Sequence, residues 1–191
     1  MQVGANDGVT VDPVYPFAMH YKDSTSVLLI EPQNNVIELL RKNYIEHPSA
    51  KIANVAVSAT SKVTLYRIRP ELQKYYTGII GSGVTSENKS YVERKAVSQL
   101  PKKLIKREFN KGNNLTESFE MNSMTLMDII KTQDFSKDID WLQVDTEGYD
   151  DIVIYHSDIE TTKPCVISYD KCTFLRRKKA IFDHLSKKSG I

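Results

Sequence analysis

Short apolar runs at Ser26–Ile30, Ile52–Val57, Trp141–Val144 and Cys165–Tyr169 read as strands, and so does the brief Met1–Val3 that precedes them. Ser26-Val-Leu-Leu-Ile30 is apolar at consecutive positions, the mark of a strand covered on both faces. Between these runs the apolar residues recur every three or four positions. Asp12-Pro13 supplies a capping residue and a proline suited to the first helical turn, which predicts a helix over Tyr15–Tyr21. Asn34 or Asn35 can cap a helix whose one apolar face holds Val36, Ile37, Leu39, Leu40 and Tyr44. Further helices are predicted at Met124–Lys131, at Asp150–Tyr155 and at Phe174–Lys188, the last with Leu175, Ile181, Phe182 and Leu185 inward. Val63–Ile68 reads as an extended piece outside the core. From Pro70 to Ser118 the pattern dissolves into charges, glycines and asparagines, and one helix near Tyr91–Leu100 is all it predicts. Strands alternating with helices imply right-handed crossovers and an open, mostly parallel α/β sheet with helices on both faces.

Composition narrows this picture. A chain of 191 residues, 40% of them hydrophobic, supports one full core, so residues 1–191 are expected to form a single domain with 70–118 as an irregular excursion that shapes a ligand pocket or a lid. The formal charge of +2 mixes both signs, and the basic stretches Lys102–Lys111 and Arg176–Lys188 read as solvated helix faces. Neither nucleic acid nor membrane is expected as a partner. No run reaches the roughly eighteen apolar residues of a bilayer span, and no leader precedes the first strand, so a cytoplasmic protein is expected. Cys165 and Cys172, about 20 Å apart if the chain between them is extended, are expected as free thiols.

The chemistry concentrates where strands end, because ligands of open α/β sheets bind beyond the carboxyl ends of the strands. Val3-Gly-Ala-Asn-Asp-Gly8 turns the first strand with glycines at 4 and 8 and a carboxylate at 7, which suits a cationic or hydroxyl-rich ligand. It is neither G-x-G-x-x-G nor a loop ending in Gly-Lys-Ser/Thr. Glu31 lies 23 residues past Gly8, near the spacing at which an acid meets a ribose, and that role is favoured over capping the next helix. Asp145-Thr-Glu-Gly148 follows the fourth core strand. Asp145 and Glu147 are expected to carry the chemistry of a bound ligand there, Asp145 on a cofactor or substrate and Glu147 as a base or ligand contact, with helix capping as the plainer role for Glu147. The acids 145, 147, 150 and 151 lack the spacing of a calcium loop, and no metal is expected. Gly78-Ile-Ile-Gly-Ser-Gly83 reads as a flexible segment able to cover a bound ligand.

Val3–Gly8, Glu31-Pro32, Asn54-Val-Ala-Val-Ser58, Met124-Thr-Leu126 and Leu142-Gln-Val-Asp-Thr-Glu-Gly-Tyr-Asp150 together resemble the FkbM-type S-adenosylmethionine-dependent methyltransferases over nearly the whole chain. The resemblance implies a Rossmann-like class I methyltransferase sheet and transfer of methyl from S-adenosylmethionine to a hydroxyl of a sugar or small metabolite. It implies that Gly4, Asn6, Asp7 and Gly8 line the methionine part of the cofactor, that Glu31 holds the ribose, and that Asn54 to Ala56 lie near the adenine. A five-stranded parallel core of order 3-2-1-4-5 is expected, without the closing antiparallel pair. The family usually carries Glu and His where this chain has Asp170 and Lys171, and its first strand is normally longer. An exposed sheet edge would favour a homodimer. Two alternatives share the fold: a non-catalytic cofactor-binding domain and a nicotinamide-dependent oxidoreductase.

Overall fold

The computed structural model of the protein describes residues 1–76 and 84–169. Five strands form a parallel sheet: β1 (Gln2–Val3), β2 (Val27–Ile30), β3 (Ala50–Ala53), β8 (Trp141–Val144) and β9 (Val166–Tyr169), in the order β3-β2-β1-β8-β9. Between β3 and β8 the chain builds a second sheet from β4 (Ala56–Val57), β5 (Lys62–Ile68), β6 (Thr85–Ser86) and β7 (Thr116–Met124), ordered β4-β7-β5-β6. These intervening strands are why the order along the chain departs from 3-2-1-4-5: the strands expected fourth and fifth are β8 and β9. The eight helices of the described residues are α1 (Val14–His20), α2 (Asn34–Asn43), α3 (Pro70–Gln73), α4 (Lys89–Gln99), α5 (Lys102–Asn110), α6 (Leu126–Thr132), α7 (Asp150–Tyr155) and α8 (Ile159–Thr162).

The consecutive apolar run of β2 is explained by helices on both faces. Leu28 and Ile30 join Val3, Leu142 and Val144 in a cluster closed by Leu126, Ile129 and Ile130 of α6 and Val153 and Ile154 of α7. Val27 and Leu29 point the other way, onto Val14 and Ala18 of α1 and Ile37 and Leu40 of α2. Leu28, Leu29, Leu40, Leu126 and Leu142 are fully buried. At about 1.5–3 kcal/mol for each fully buried side chain, these layers supply most of the force that places the strand ends side by side.

Four expectations are corrected. The run Ile52–Val57 is two strands in two sheets, because Asn54 leaves the ladder and its side-chain amide donates to the carbonyls of Glu31 (2.9 Å) and Pro32 (3.1 Å). Val63–Ile68 belongs to a seven-residue strand at the heart of the second sheet, paired with β7 from Lys62↔Asn122 to Ile68↔Thr116. The excursion holds α4 and also α5, β6 and the start of β7, around a core of its own formed by Ile68, Leu72, Val84, Val92, Ala96, Leu100 and Leu115. The helix expected from Met124 starts at Leu126, since Thr125 caps it by accepting from the Asp128 N–H. Gly78–Gly83, Asp170, Lys171, Cys172 and the helix expected over Phe174–Lys188 lie outside the described residues.

Candidate active site

β1 is the point where strand order reverses, with β2 and β3 on one side and β8 and β9 on the other, and a cleft of about 260 Å³ opens beyond the ends of β1, β2 and β8. That volume is near the lower end for small-molecule sites, about 300–1,000 Å³. Its floor is the turn after β1. The N–H groups of Gly4 and Ala5 both donate to the Ile30 carbonyl, at 2.9 and 3.1 Å, and Gly8 N–H closes the turn on Ala5 at 2.8 Å. Gly4 has φ +81°, and a Cβ there would run into the carbonyl oxygen of Asp145. Gly8 has φ +73° and lies against Leu40 and Tyr44, whose ring carbon would stand 2.7 Å from an added Cβ. Both glycines are therefore required by protein packing, at Gly4 to let β1 and β8 leave the sheet together.

Glu31 directly follows β2 and is 3% exposed. One carboxylate oxygen accepts from Asn6 N–H and the other from Gln33 N–H, both at 2.8 Å. Burial pushes the carboxyl up to about 7, against the pull of these N–H groups, and nearby Asp145 pushes the same way. The Gln33 contact lies at the start of α2, so Glu31 serves that helix as well as facing the cleft; Asn34 and Asn35 do not cap it. On the opposite wall Glu147 follows β8 in the left-handed conformation, φ +52°, which non-glycine residues seldom adopt. Its carboxylate accepts a hydrogen bond from the Tyr91 hydroxyl of α4. It does not cap α7; Asp150 faces back and accepts from the Thr146 N–H (2.6 Å) and hydroxyl (2.8 Å). A second pair joins the same two segments, Tyr149 with Glu87. Burial pushes the Tyr149 hydroxyl up to about 12 and the Glu87 carboxyl upward, the latter opposed by the Tyr149 bond.

Of the residues singled out in the sequence, Gly4, Asn6, Glu31, Ala56, Asp145 and Glu147 all line the cleft. Asp7, Gly8 and Asn54 do not. The Asp7 carboxylate is turned into its own loop, accepting from Val9 N–H (3.0 Å) and Thr10 N–H (2.8 Å); burial works to raise its pKa, but the Thr10 hydroxyl and these N–H groups hold it below the usual range. Sequence reasoning missed Gln2, Asp12, Gln33, Thr85, Glu87 and Tyr149. Asp12 also caps the helix, as its place before Pro13 predicts: it accepts from Val14 N–H (2.7 Å) and Tyr15 N–H (2.9 Å), while Gln2 donates to its other oxygen. Glu87 and Thr85 come from β6 and the loop after it, where no pattern in the sequence pointed inward.

Two properties define what the cleft can hold. Its described lining includes the carboxylates of Asp12, Glu31, Glu87, Asp145 and Glu147 and no Lys, Arg or His. Four buried side-chain polar atoms on the same lining, Gln2 Oε1, Asn6 Oδ1, Gln33 Oε1 and Thr85 Oγ1, have no hydrogen-bond partner among the described residues. Buried polar atoms are rarely left so, and each such amide oxygen lacks the donor that a ligand could supply. Among the described residues no three His, Cys, Asp or Glu side chains are grouped to hold a metal ion, and no helix is long and apolar enough to cross a membrane.

A mostly parallel α/β sheet with a ligand cleft at its switch point defines the Rossmann-like class, in which methyltransferases are one branch. The chain belongs to the FkbM methyltransferase domain family, whose model matches residues 2–187. Comparisons with curated proteins and with solved structures gave no match. Membership makes methyl transfer the general activity and implies a methyl donor.

Proposed function

We propose that the chain transfers methyl from S-adenosylmethionine to a hydroxyl of a sugar or small metabolite. The observation that carries this reading is the cleft lining of five carboxylates without a described cation, together with four unpaired buried polar atoms. Such a site suits a donor that bears a sulfonium and an ammonium and presents hydroxyl and amino hydrogens. The pyrophosphate of a nicotinamide dinucleotide would instead meet like charge, which disfavours the oxidoreductase alternative.

Glu31 keeps acceptor capacity beyond its two backbone bonds and takes the ribose hydroxyls. Asp145 and Asp12 complement positive charge, Asn6 and Gln2 accept from the ammonium, and Val55, Ala56 and Val57 give the adenine an apolar wall. Gly8, Asp7 and Asn54 act one step back, by fixing the turn and the β3 exit. S-adenosylmethionine, when bound, supplies an electrophilic methyl on sulfur. Glu147 accepts the proton of the acceptor hydroxyl as that oxygen becomes a nucleophile, a contribution of about 10²–10⁴ in rate. Its aim is fixed by the Tyr91 bond and the left-handed backbone. Holding acceptor and donor in line supplies on the order of 7–11 kcal/mol more.

Titration calorimetry with S-adenosylmethionine and S-adenosylhomocysteine tests the donor, with micromolar binding expected. Mass analysis of methylated products from a library of hydroxylated compounds tests the acceptor group. Failure of intact protein to bind either nucleoside would sink the proposal.

A further inference from the structure

We infer that the cleft selects an acceptor with no anionic group near its reacting hydroxyl, and that Glu87 and Glu147, each held by a tyrosine, make this selection. The inference rests on the proposed methyl transfer. S-adenosylmethionine carries two cations and one carboxylate, so its net charge of about +1 leaves a lining of Asp12, Glu31, Glu87, Asp145 and Glu147 net negative even with Glu31 half protonated near neutral pH. A phosphate, sulfate or carboxylate on the acceptor would be desolvated against that field with no described cation to receive it. The built groups favour hydroxyls. Two phenol–carboxylate pairs, Tyr91 with Glu147 and Tyr149 with Glu87, join the segment after β8 to the segment that leads from β6 into α4, and Glu87, Glu147 and Tyr149 line the cleft there. Beside Glu87, Thr85 carries a buried hydroxyl oxygen without a partner among the described residues, and Gln33 Oε1, on a residue 2% exposed, is likewise unpaired there on the same lining. Carboxylates and unpaired amide oxygens accept from hydroxyl or ammonium hydrogens and have nothing to give an anion.

The test is methyl transfer from radiolabelled S-adenosylmethionine to methyl glycosides of matched hexoses, amino hexoses, hexuronates and hexose phosphates, with donor binding measured on the same protein by calorimetry. Transfer to neutral or amino glycosides is expected to exceed transfer to the anionic ones by roughly tenfold or more in kcat/KM. Glu87→Gln should narrow that ratio several-fold, with S-adenosylhomocysteine binding measured on the same variant. Equal or faster transfer to the anionic glycosides, transfer to none of the panel by donor-bound protein, or a ratio unmoved in Glu87→Gln would overturn the inference. Loss of donor binding in the unmodified protein would instead strike the proposed function beneath it.

Discussion

The two walls of the cleft are built on different principles. The wall at the ends of β1 and β2 is tied by short backbone donations: Gly4 and Ala5 N–H to the Ile30 carbonyl, Gly8 N–H to Ala5 and Asn6 N–H to the Glu31 carboxylate, and its geometry follows from glycines that leave no room for a Cβ. The facing wall is assembled from afar. Glu147 and Tyr91 are 56 positions apart in the chain, and meet only because the second sheet carries α4 across the end of β8. The first wall resembles a preformed socket. The second depends on tertiary pairing, so side-chain changes there should alter chemistry with little effect on folding, whereas changes in the socket should alter stability and donor binding together.

The largest separation of the two is expected from Glu147→Gln, which keeps shape and removes the base: kcat should fall about 10²–10⁴ while S-adenosylhomocysteine affinity and urea stability stay near those of the parent. A comparable loss of affinity would move Glu147 to the donor side. Gly4→Ala strikes the socket. Forcing a Cβ onto the Asp145 carbonyl at φ +81° should cost about 3 kcal/mol or more in urea unfolding; a cost below about 1 kcal/mol would mean the turn can move. Glu31 gives a pH signature. Its folded pKa of about 7 lies above the usual 4.5, so the folded chain holds a proton that the unfolded chain has lost. Stability is then fully present below about 4.5, declines as pH rises through 7, and differs by on the order of 3 kcal/mol between the ends. Glu31→Gln should flatten that window in thermal melts at stepped pH. Donor binding, which favours ionised Glu31, should release a proton near neutral pH, read as a buffer-dependent enthalpy. The smallest effect is expected at Gly112→Ala: φ is +69° but nothing lies within 4 Å of an added Cβ, so about 1 kcal/mol is expected.

The same contrast decides what was legible in the sequence. The β2 run, the Asp12-Pro13 start, β8 and α7 could be read because apolar periodicity and turn residues are local signals. Glu31 was found by its distance from the glycine turn. The second sheet was not, since β7 reads Thr-Glu-Ser-Phe-Glu-Met-Asn-Ser-Met, with Phe119 and Met121 alone marking an apolar face, and β6 has only two residues. Its strands are stabilised by pairing with each other and by contacts such as the Arg67 guanidinium over Phe119 and on Glu117. Neither leaves a periodic trace. Asp7 misled because a carboxylate in a glycine turn can serve the turn itself, as it does through Val9 and Thr10.

The central claim is that an acid-lined cleft at the β1 switch point holds a cationic methyl donor. Calorimetry of the intact protein with S-adenosylmethionine in two buffers of different ionisation enthalpy, near pH 7, tests it most directly. Micromolar binding with net proton release, abolished in Glu31→Gln, is the predicted result. Absence of binding, or binding with no proton release and no loss in Glu31→Gln, would contradict it.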